Sequence, residues 1–175
     1  MVIWFVGLSG SGKTTISKLV YNKLKKDIPN LVRLDGDVLR DVFGNDVDHT
    51  VEGRRKNAER LSMLTRMLAN QDIHVIAAVL SIFPDWQKWN RENVDNYAQV
   101  YLDASIDVLK ERDIKNLYKP ALNGEIDNVV GVDIPFPEPY KSDLVIENDK
   151  ERKNFDDVVE RILNLDVVKD ALKSV

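Results

Sequence analysis

The sequence predicts an α/β fold, a parallel β-sheet covered by helices on both faces. Three observations predict it: short, continuous apolar runs suited to strands buried on both sides, stretches of helical periodicity between them, and a glycine-rich stretch directly after the first run. At 175 residues the chain has the length of one domain, 1–175, with enough core to fold unaided.

Val2 to Val6 is the first strand, apolar and aromatic throughout, and its end meets the glycines. From Lys13 to Lys26, Ile16, Leu19, Val20 and Leu24 recur at helical spacing with lysines on the opposite face. Leu31 to Leu34 is a second strand, ending in Asp35-Gly36-Asp37, and Arg54 to Asn70 is a helix carrying Leu61, Leu64 and Leu68. His74 to Leu80 is the most apolar run and reads as a buried strand, followed by a helix over Asp85 to Asn96 that bears Trp86 and Trp89. Ala98 to Leu102 is a strand and Ile106 to Arg112 a helix. Residues 113–142 have no clear periodicity and hold Pro120, Pro135, Pro137 and Pro139, so the segment reads as loop; a loop of that length in a compact domain serves a site, and 112–142 is expected to be a lid. Leu144 to Ile146 is a last strand and Phe155 to Leu163 a last helix, with Val158, Val159, Ile162 and Leu163 at helical spacing.

Composition excludes several function classes. With 25 Lys and Arg against 29 Asp and Glu the net charge is −4, so no overall basic field exists to hold a nucleic-acid polymer or an anionic membrane, and any anion site must be local. Cysteine is absent, which removes disulfides, thiolate nucleophiles, Fe–S clusters and cysteine zinc sites together. The start of the chain reads as a strand rather than a signal peptide, and no run of 18 apolar residues occurs; the expectation is a cytoplasmic protein without a membrane partner.

Gly7-Leu8-Ser9-Gly10-Ser11-Gly12-Lys13-Thr14 fits G-x-x-x-x-G-K-[ST] between a strand and a helix, the setting in which that pattern binds phosphate. Backbone N–H groups converge on phosphate oxygens, the helix N-terminus adds favourable partial charge, Lys13 reaches the outer phosphates and Thr14 is placed to ligate Mg²⁺. In Asp35-Gly36-Asp37 a carboxylate can orient a metal-bound water or accept a hydroxyl proton, with Arg40 three residues on; Asp-Gly is also a common turn, and Asp37 can simply cap the next helix. Arg54 and Asn57 share a helix face suited to phosphate or ribose, whereas Arg55 and Arg66 read as solvated charge. His49, near Asp46 and Asp48, and His74, near Asp72, each lack a second histidine at metal-ligand spacing. Trp86 and Trp89 can stack on a base or pack against the sheet. Arg112 and Lys115 can bring positive charge over a transferring phosphoryl group.

Together these stretches resemble the adenylylsulfate kinase family: 7–15 including Thr15, Leu34-Asp35-Gly36-Asp37 with Arg40, Arg54 and Asn57 with Arg60, Arg112-Asp113 with Lys115, Leu117-Tyr118-Lys119, and Gly124-Glu125. The likeness covers almost the whole chain. It implies a P-loop nucleotide-kinase-like α/β fold, with a parallel sheet, helices on both faces and a lid. It also implies phosphorylation, by ATP with Mg²⁺, of the ribose 3′-hydroxyl of a small-molecule nucleotide with a modified 5′-phosphate. By the resemblance Asp37, Lys13 and Lys115 are catalytic, and Gly7, Ser9, Gly10, Ser11, Gly12, Lys13, Thr14, Thr15 and Arg112 bind ATP. Thr14 and Asp35 serve the metal. Asp35, Arg40, Arg54, Asn57, Ser81, Lys115 and Val129 serve the acceptor, and a homodimer is the implied assembly.

The departures fall where the acceptor base would sit. His49 and Val129 stand at the positions of an aromatic pair that sandwiches adenine in the family, and the usual Ile-Ser-Pro is altered to Leu80-Ser81-Ile82-Phe83-Pro84. Losing two aromatic faces weakens stacking, worth about 1–3 kcal/mol per base. Kinases similar to this family act on cytidine diphosphoramidate in bacterial capsule synthesis, and a less aromatic pocket suits a pyrimidine, so that acceptor ranks ahead of adenylylsulfate. A non-catalytic nucleotide-binding regulator is the reading from another class, opposed by Asp37, Arg54 and Lys115; a GTPase ranks last because no Asn-Lys-x-Asp motif occurs.

Overall fold

The computed structural model describes residues 1–174. Among them are five strands, β1 (Val2–Val6), β2 (Leu31–Asp35), β3 (His74–Val79), β4 (Tyr97–Asp103) and β5 (Leu144–Glu147), all paired in parallel in the order β2-β3-β1-β4-β5. The helices are α1 (Lys13–Leu24), α2 (Gly36–Val42), α3 (Val51–Ala69), α4 (Pro84–Asn93), α5 (Ile106–Arg112), α6 (Tyr118–Leu122), α7 (Asp156–Leu163) and α8 (Asp166–Lys173).

Alternation along β1 explains why both sheet faces are covered. Ile3 and Phe5 pack with Ile16, Val20 and Leu24 of α1 and with Val158, Ile162, Val168 and Ala171 of α7 and α8. Val2, Trp4 and Val6 point the other way, onto Leu61, Leu64 and Leu68 of α3. Every β1 residue is therefore apolar because neither face meets water. Register then gathers the carboxyl ends: Val6 lies level with Val79 and Tyr101, and Asp35 with Ala78, so the residues after β1, β2 and β3 emerge along one edge of the sheet. β1 is flanked by β3 on one side and β4 on the other, the crevice in which open α/β sheets bind ligands.

Three helices add to those expected from the sequence. α2 begins directly at the end of β2, with the Asp35 side chain accepting from the Asp37 amide, so Asp35 is the cap that the sequence also allowed Asp37 to be. α6 interrupts the expected 113–142 loop, and Pro120 is tolerated in its first turn because no intrahelical N–H is required there. α8 follows α7 after a short turn and buries Val168 and Ala171. α3 starts at Val51 rather than Arg54, with Thr50 as N-cap accepting from the Gly53 amide. Segment 113–142 is packed onto the rest of the domain: Tyr118, Val129, Val130 and Ile134 share a core with Leu8, Ala58, Ile82, Phe83 and Leu109. Among the described residues no helix is long and apolar enough to cross a membrane.

Candidate active site

The glycine-rich loop turns from β1 into α1 under tight steric limits. A Cβ on Gly7 would stand 2.6 Å from the Leu102 carbonyl oxygen, and Gly12, the N-cap of α1, sits at φ 98°. Lys13 folds back over the loop, its Nζ donating to the carbonyls of Gly7 (2.9 Å) and Leu8 (2.6 Å). Burial, and then the charge of Lys115, push the Lys13 ammonium down to about 7, against the opposing pull of Asp37 and Asp35. An anion in the loop would reverse that balance. Two contacts absent from the sequence reading shape the loop from outside: Asn148 Nδ2 donates to the Ser11 carbonyl (3.0 Å) and the Tyr118 hydroxyl donates to the Ser9 carbonyl (2.9 Å). Asn148 directly follows β5, so the rule that sites gather at strand carboxyl ends was the signal that could have found it.

At the end of β2, Thr14 Oγ1 donates to Asp35 Oδ2 (3.1 Å), an oxygen that also receives Arg33 Nη1 (3.2 Å). The hydroxyl and carboxylate are hard oxygen donors beside the phosphate loop. They fit Mg²⁺, which binds through one or two protein groups and takes its other ligands from phosphate and water. Asp37, in the first turn of α2, forms an ion pair with Lys115 (2.6 Å), which reaches across from residues 113–117. Burial acts to raise the Asp37 carboxyl, but the Lys115 hydrogen bond and charge, with Lys13 and Arg40, outweigh it and hold it below the usual carboxylate range.

These groups line a cleft of about 650 Å³ that runs from the phosphate loop, through Asp35, Asp37 and Lys115, to His49, Arg54 and Val129. A side recess of about 50 Å³ is lined by Asp37, Arg40, His49, Arg54 and Asn57. Asn57 Oδ1 is buried there without a hydrogen-bond partner, an unmet acceptor that a ligand donor or water would satisfy. Arg40 is buried, and its Nη1 donates to the carbonyls of Val47 (3.0 Å) and Asp48 (2.9 Å), so it holds the loop between α2 and α3 as well as facing the cleft. Arg54 bridges the walls: Nε donates to the His49 carbonyl (2.7 Å) and Nη2 to the Asn128 carbonyl (2.8 Å). His49 titrates below its ordinary range because burial and the charges of Arg40 and Arg54 disfavour its cation.

Of the residues expected to form the site, Ser9, Gly10, Gly12, Lys13, Thr14, Thr15, Asp35, Asp37, Arg40, Arg54, Lys115 and Val129 come together on the main cleft, and Asn57 on its recess. Four do not reach its surface. Gly7 and Ser11 are buried positions of the loop, with the Ser11 hydroxyl unpartnered. Ser81 is buried against α4, where Gln87 Nε2 donates to its Oγ at 3.2 Å. Arg112 directs its guanidinium at the carbonyls of Asn148 (2.9 Å) and Asp149 (2.6 Å), bracing the segment after β5. Trp86 and Trp89 stack edge to face, 5.3 Å apart, with Arg66 over Trp89, so they pack α4 against α3 rather than meet a base. Arg55 pairs with Asp85 near the surface. Residues not singled out from the sequence also line the cleft, among them Asn45, Ile114, Ile126 and Asn128.

Comparison with known proteins adds relatives to this geometry. The family model for adenylylsulphate kinase matches residues 1–147. A cytidine diphosphoramidate kinase of Campylobacter jejuni is 43% identical over 162 residues, covering 93% of this chain and 94% of the relative. An adenylyl-sulfate kinase of Halothermothrix orenii is 36% identical, covering 86% and 82%. The solved APS kinase of Mycobacterium tuberculosis, in complex with AMPPNP and APS, superposes with a TM-score of 0.83 at 30% identity over 96% of both chains.

Proposed function

The chain belongs to the adenylylsulphate kinase family, and from that premise we propose that it transfers the γ-phosphoryl group of ATP to the ribose 3′-hydroxyl of cytidine diphosphoramidate. One observation carries the choice of acceptor. The two walls of the cleft far from the phosphate loop present His49 and Val129, an imidazole and a small aliphatic group, where an adenine-binding member of the family would offer two aromatic rings. A relative named for the cytidine compound shares 43% of its residues.

The chemistry is mostly positioning and charge neutralisation. The loop amides and the α1 N-terminus hold the phosphates of ATP, and Lys13 exchanges its two loop carbonyls for phosphate oxygens. Thr14 and Asp35 hold Mg²⁺, which supplies further positive charge when bound. Arg40, Arg54 and Asn57 seat the modified 5′-phosphate and ribose of the acceptor, bringing its 3′-hydroxyl toward Asp37. As the ribose oxygen bonds to the γ-phosphorus and the bond to the β–γ bridging oxygen breaks, Asp37 Oδ2 accepts the hydroxyl proton and later releases it to water. An ionised Asp37 is a weak base, and that suffices: in a loose phosphoryl-transfer transition state little negative charge is needed on the nucleophile before the proton leaves. Lys115, released from Asp37 by that proton transfer, is left free to face the transferring group. Residues 112–142 supply Lys115 and the Val129 wall and act as the lid.

Side-by-side kinetics with cytidine diphosphoramidate and adenylylsulfate, using ATP and one enzyme preparation, test the reading. A higher kcat/KM for the cytidine compound is expected. A higher value for adenylylsulfate would overturn the acceptor, and ATP binding without transfer to either would favour a regulator.

A further inference from the structure

On the acceptor reading, on which this inference rests, the two base-flanking residues must be held at a fixed spacing. His49 belongs to the loop between α2 and α3, and Val129 to a segment some eighty residues later; the walls meet through Arg54, whose Nε binds the His49 carbonyl and whose Nη2 binds the Asn128 carbonyl. The far end of that bridge needs its own support. Asn128 sits in the left-handed region at φ 64°, a conformation asparagine tolerates better than most residues, so its backbone can turn here but its direction must be fixed by a partner. Asp133 holds it: its Oδ2 accepts the Asn128 amide and its Oδ1 the Val129 amide, each at 2.6 Å. Gly131, at φ 94° and with no room for a Cβ beside Ile106, lets the chain double back so that Asp133 can reach those amides.

We infer that Asp133 is a positioning residue for acceptor choice: by clamping the Asn128 and Val129 amides it aims the Asn128 carbonyl at Arg54 and thereby sets the span between His49 and Val129. Asp133 does not line the cleft and is exposed on its outer side, so it acts on the acceptor through these partners and not by touching it. The base preference is then a property of the brace Asp133–Asn128–Arg54–His49 as much as of the two side chains that face the base.

The test is Asp133→Ala, which removes both acceptors, and Asp133→Asn, which keeps one oxygen and turns an amide N–H₂ toward a backbone donor. Loss of two charge-assisted hydrogen bonds at a solvent-exposed clamp is expected to raise the acceptor KM about tenfold in the alanine variant and less in the asparagine variant. The KM for ATP and kcat stay within about twofold, and the ratio of kcat/KM between the cytidine and adenosine acceptors moves toward one, which a general loss of structure would not produce. Adding Asp133→Ala to Arg54→Lys is expected to cost little more than Arg54→Lys alone, because both break the same bridge. An unchanged acceptor KM, a rise in the KM for ATP in step with it, or full additivity of the two substitutions would overturn the assignment. If wild-type protein prefers adenylylsulfate, the cytidine reading fails, while the comparison of acceptor KM with ATP KM still decides the role of Asp133.

Discussion

The phosphate end and the acceptor end of the cleft are built in opposite ways. The phosphate end is built on one contiguous stretch: residues 7–15 make the loop and Lys13 bonds carbonyls five and six positions earlier, with Tyr118 and Asn148 bracing it from outside. The acceptor end is assembled from distant pieces, with Arg40 holding carbonyls 47 and 48, Arg60 paired with Asp46, and Arg54 reaching a carbonyl 74 positions away. On the proposed assignment the phosphate-holding groups lie in one short stretch under strict steric control, the transfer groups Asp35, Asp37 and Lys115 are brought to it by the fold, and the groups proposed to seat the acceptor are set by tertiary contacts. A kinase of this construction can change its acceptor while its phosphate loop stays as it is.

The sharpest way to break that division is at Asp37. Asp37→Asn is expected to lower kcat by roughly 10²–10⁴, the usual worth of a positioned general base, and to do so equally for both acceptors with the KM for ATP unchanged. Initial-rate kinetics with each acceptor check this; a loss confined to one acceptor would place Asp37 in recognition. The second substitution sharpens the other side. His49→Phe combined with Val129→Phe is expected to raise kcat/KM for adenylylsulfate relative to the cytidine compound by about 5- to 150-fold, taking stacking at about 1–3 kcal/mol per base. Unchanged preference in the double variant would show that the base is chosen elsewhere, with the polar residues Asn45 and Asp127 that also line the cleft as the next positions to change.

The same division decides what could be read from the sequence. The glycine-rich loop was legible because its function lies in residue order, and β1 and β3 were legible because burial on both faces forces uninterrupted apolar runs. α2 and α8 are as long as α5 and α7, which the sequence predicts; α2 was hidden because its Asp-Gly-Asp start reads as a turn and its onset is set by the Asp35 cap, while α8 carries Val168, Ala171 and Leu172 at helical spacing, a signal the sequence did hold. Ser81 and Arg112 carried the right residue types for a site, but their side chains are committed to Gln87 and to the carbonyls after β5. A bond from an arginine to a remote backbone carbonyl has no sequence spacing at all, which is why the braces of the acceptor end emerged only with the fold.

Asp113 lies between the two ends. It occupies the left-handed region at φ 31°, and its carboxylate accepts the amides of Leu117, Tyr118 and Lys119, anchoring the start of α6. That anchor fixes the short loop carrying Lys115 to Asp37 and the Tyr118 hydroxyl to the phosphate loop. Asp113→Ala is expected to reduce kcat by about tenfold through the loosened Lys115, a 1 Å misplacement of a charged group being costly, and to leave the ratio between acceptors unchanged. A shift in that ratio, measured with the same two nucleotides, would join residues 113–119 to the acceptor wall instead.

The smallest expected effect belongs wholly to the phosphate end. Lys13, held at about 7 in the free protein by burial and by Lys115, is largely neutral at pH 8. The triphosphate of ATP favours the ammonium, so binding raises this group back toward its ordinary value and draws a proton from solvent. The bound state then holds more protons than the free state above pH 7, so affinity falls as pH rises from 7 to 8 and nucleotide binding takes up a proton. Calorimetry of ATP binding in buffers of different ionisation enthalpy reads that proton directly. Lys13→Arg should bind nucleotide with no comparable uptake, because a guanidinium stays protonated in both states. Uptake that survives in the arginine variant would assign the proton to another group and leave Lys13 charged in the free enzyme. Acceptor binding, governed by arginines that do not titrate in this range, should show no such dependence on Lys13, and the two ends of the cleft would then differ in proton linkage as they do in construction.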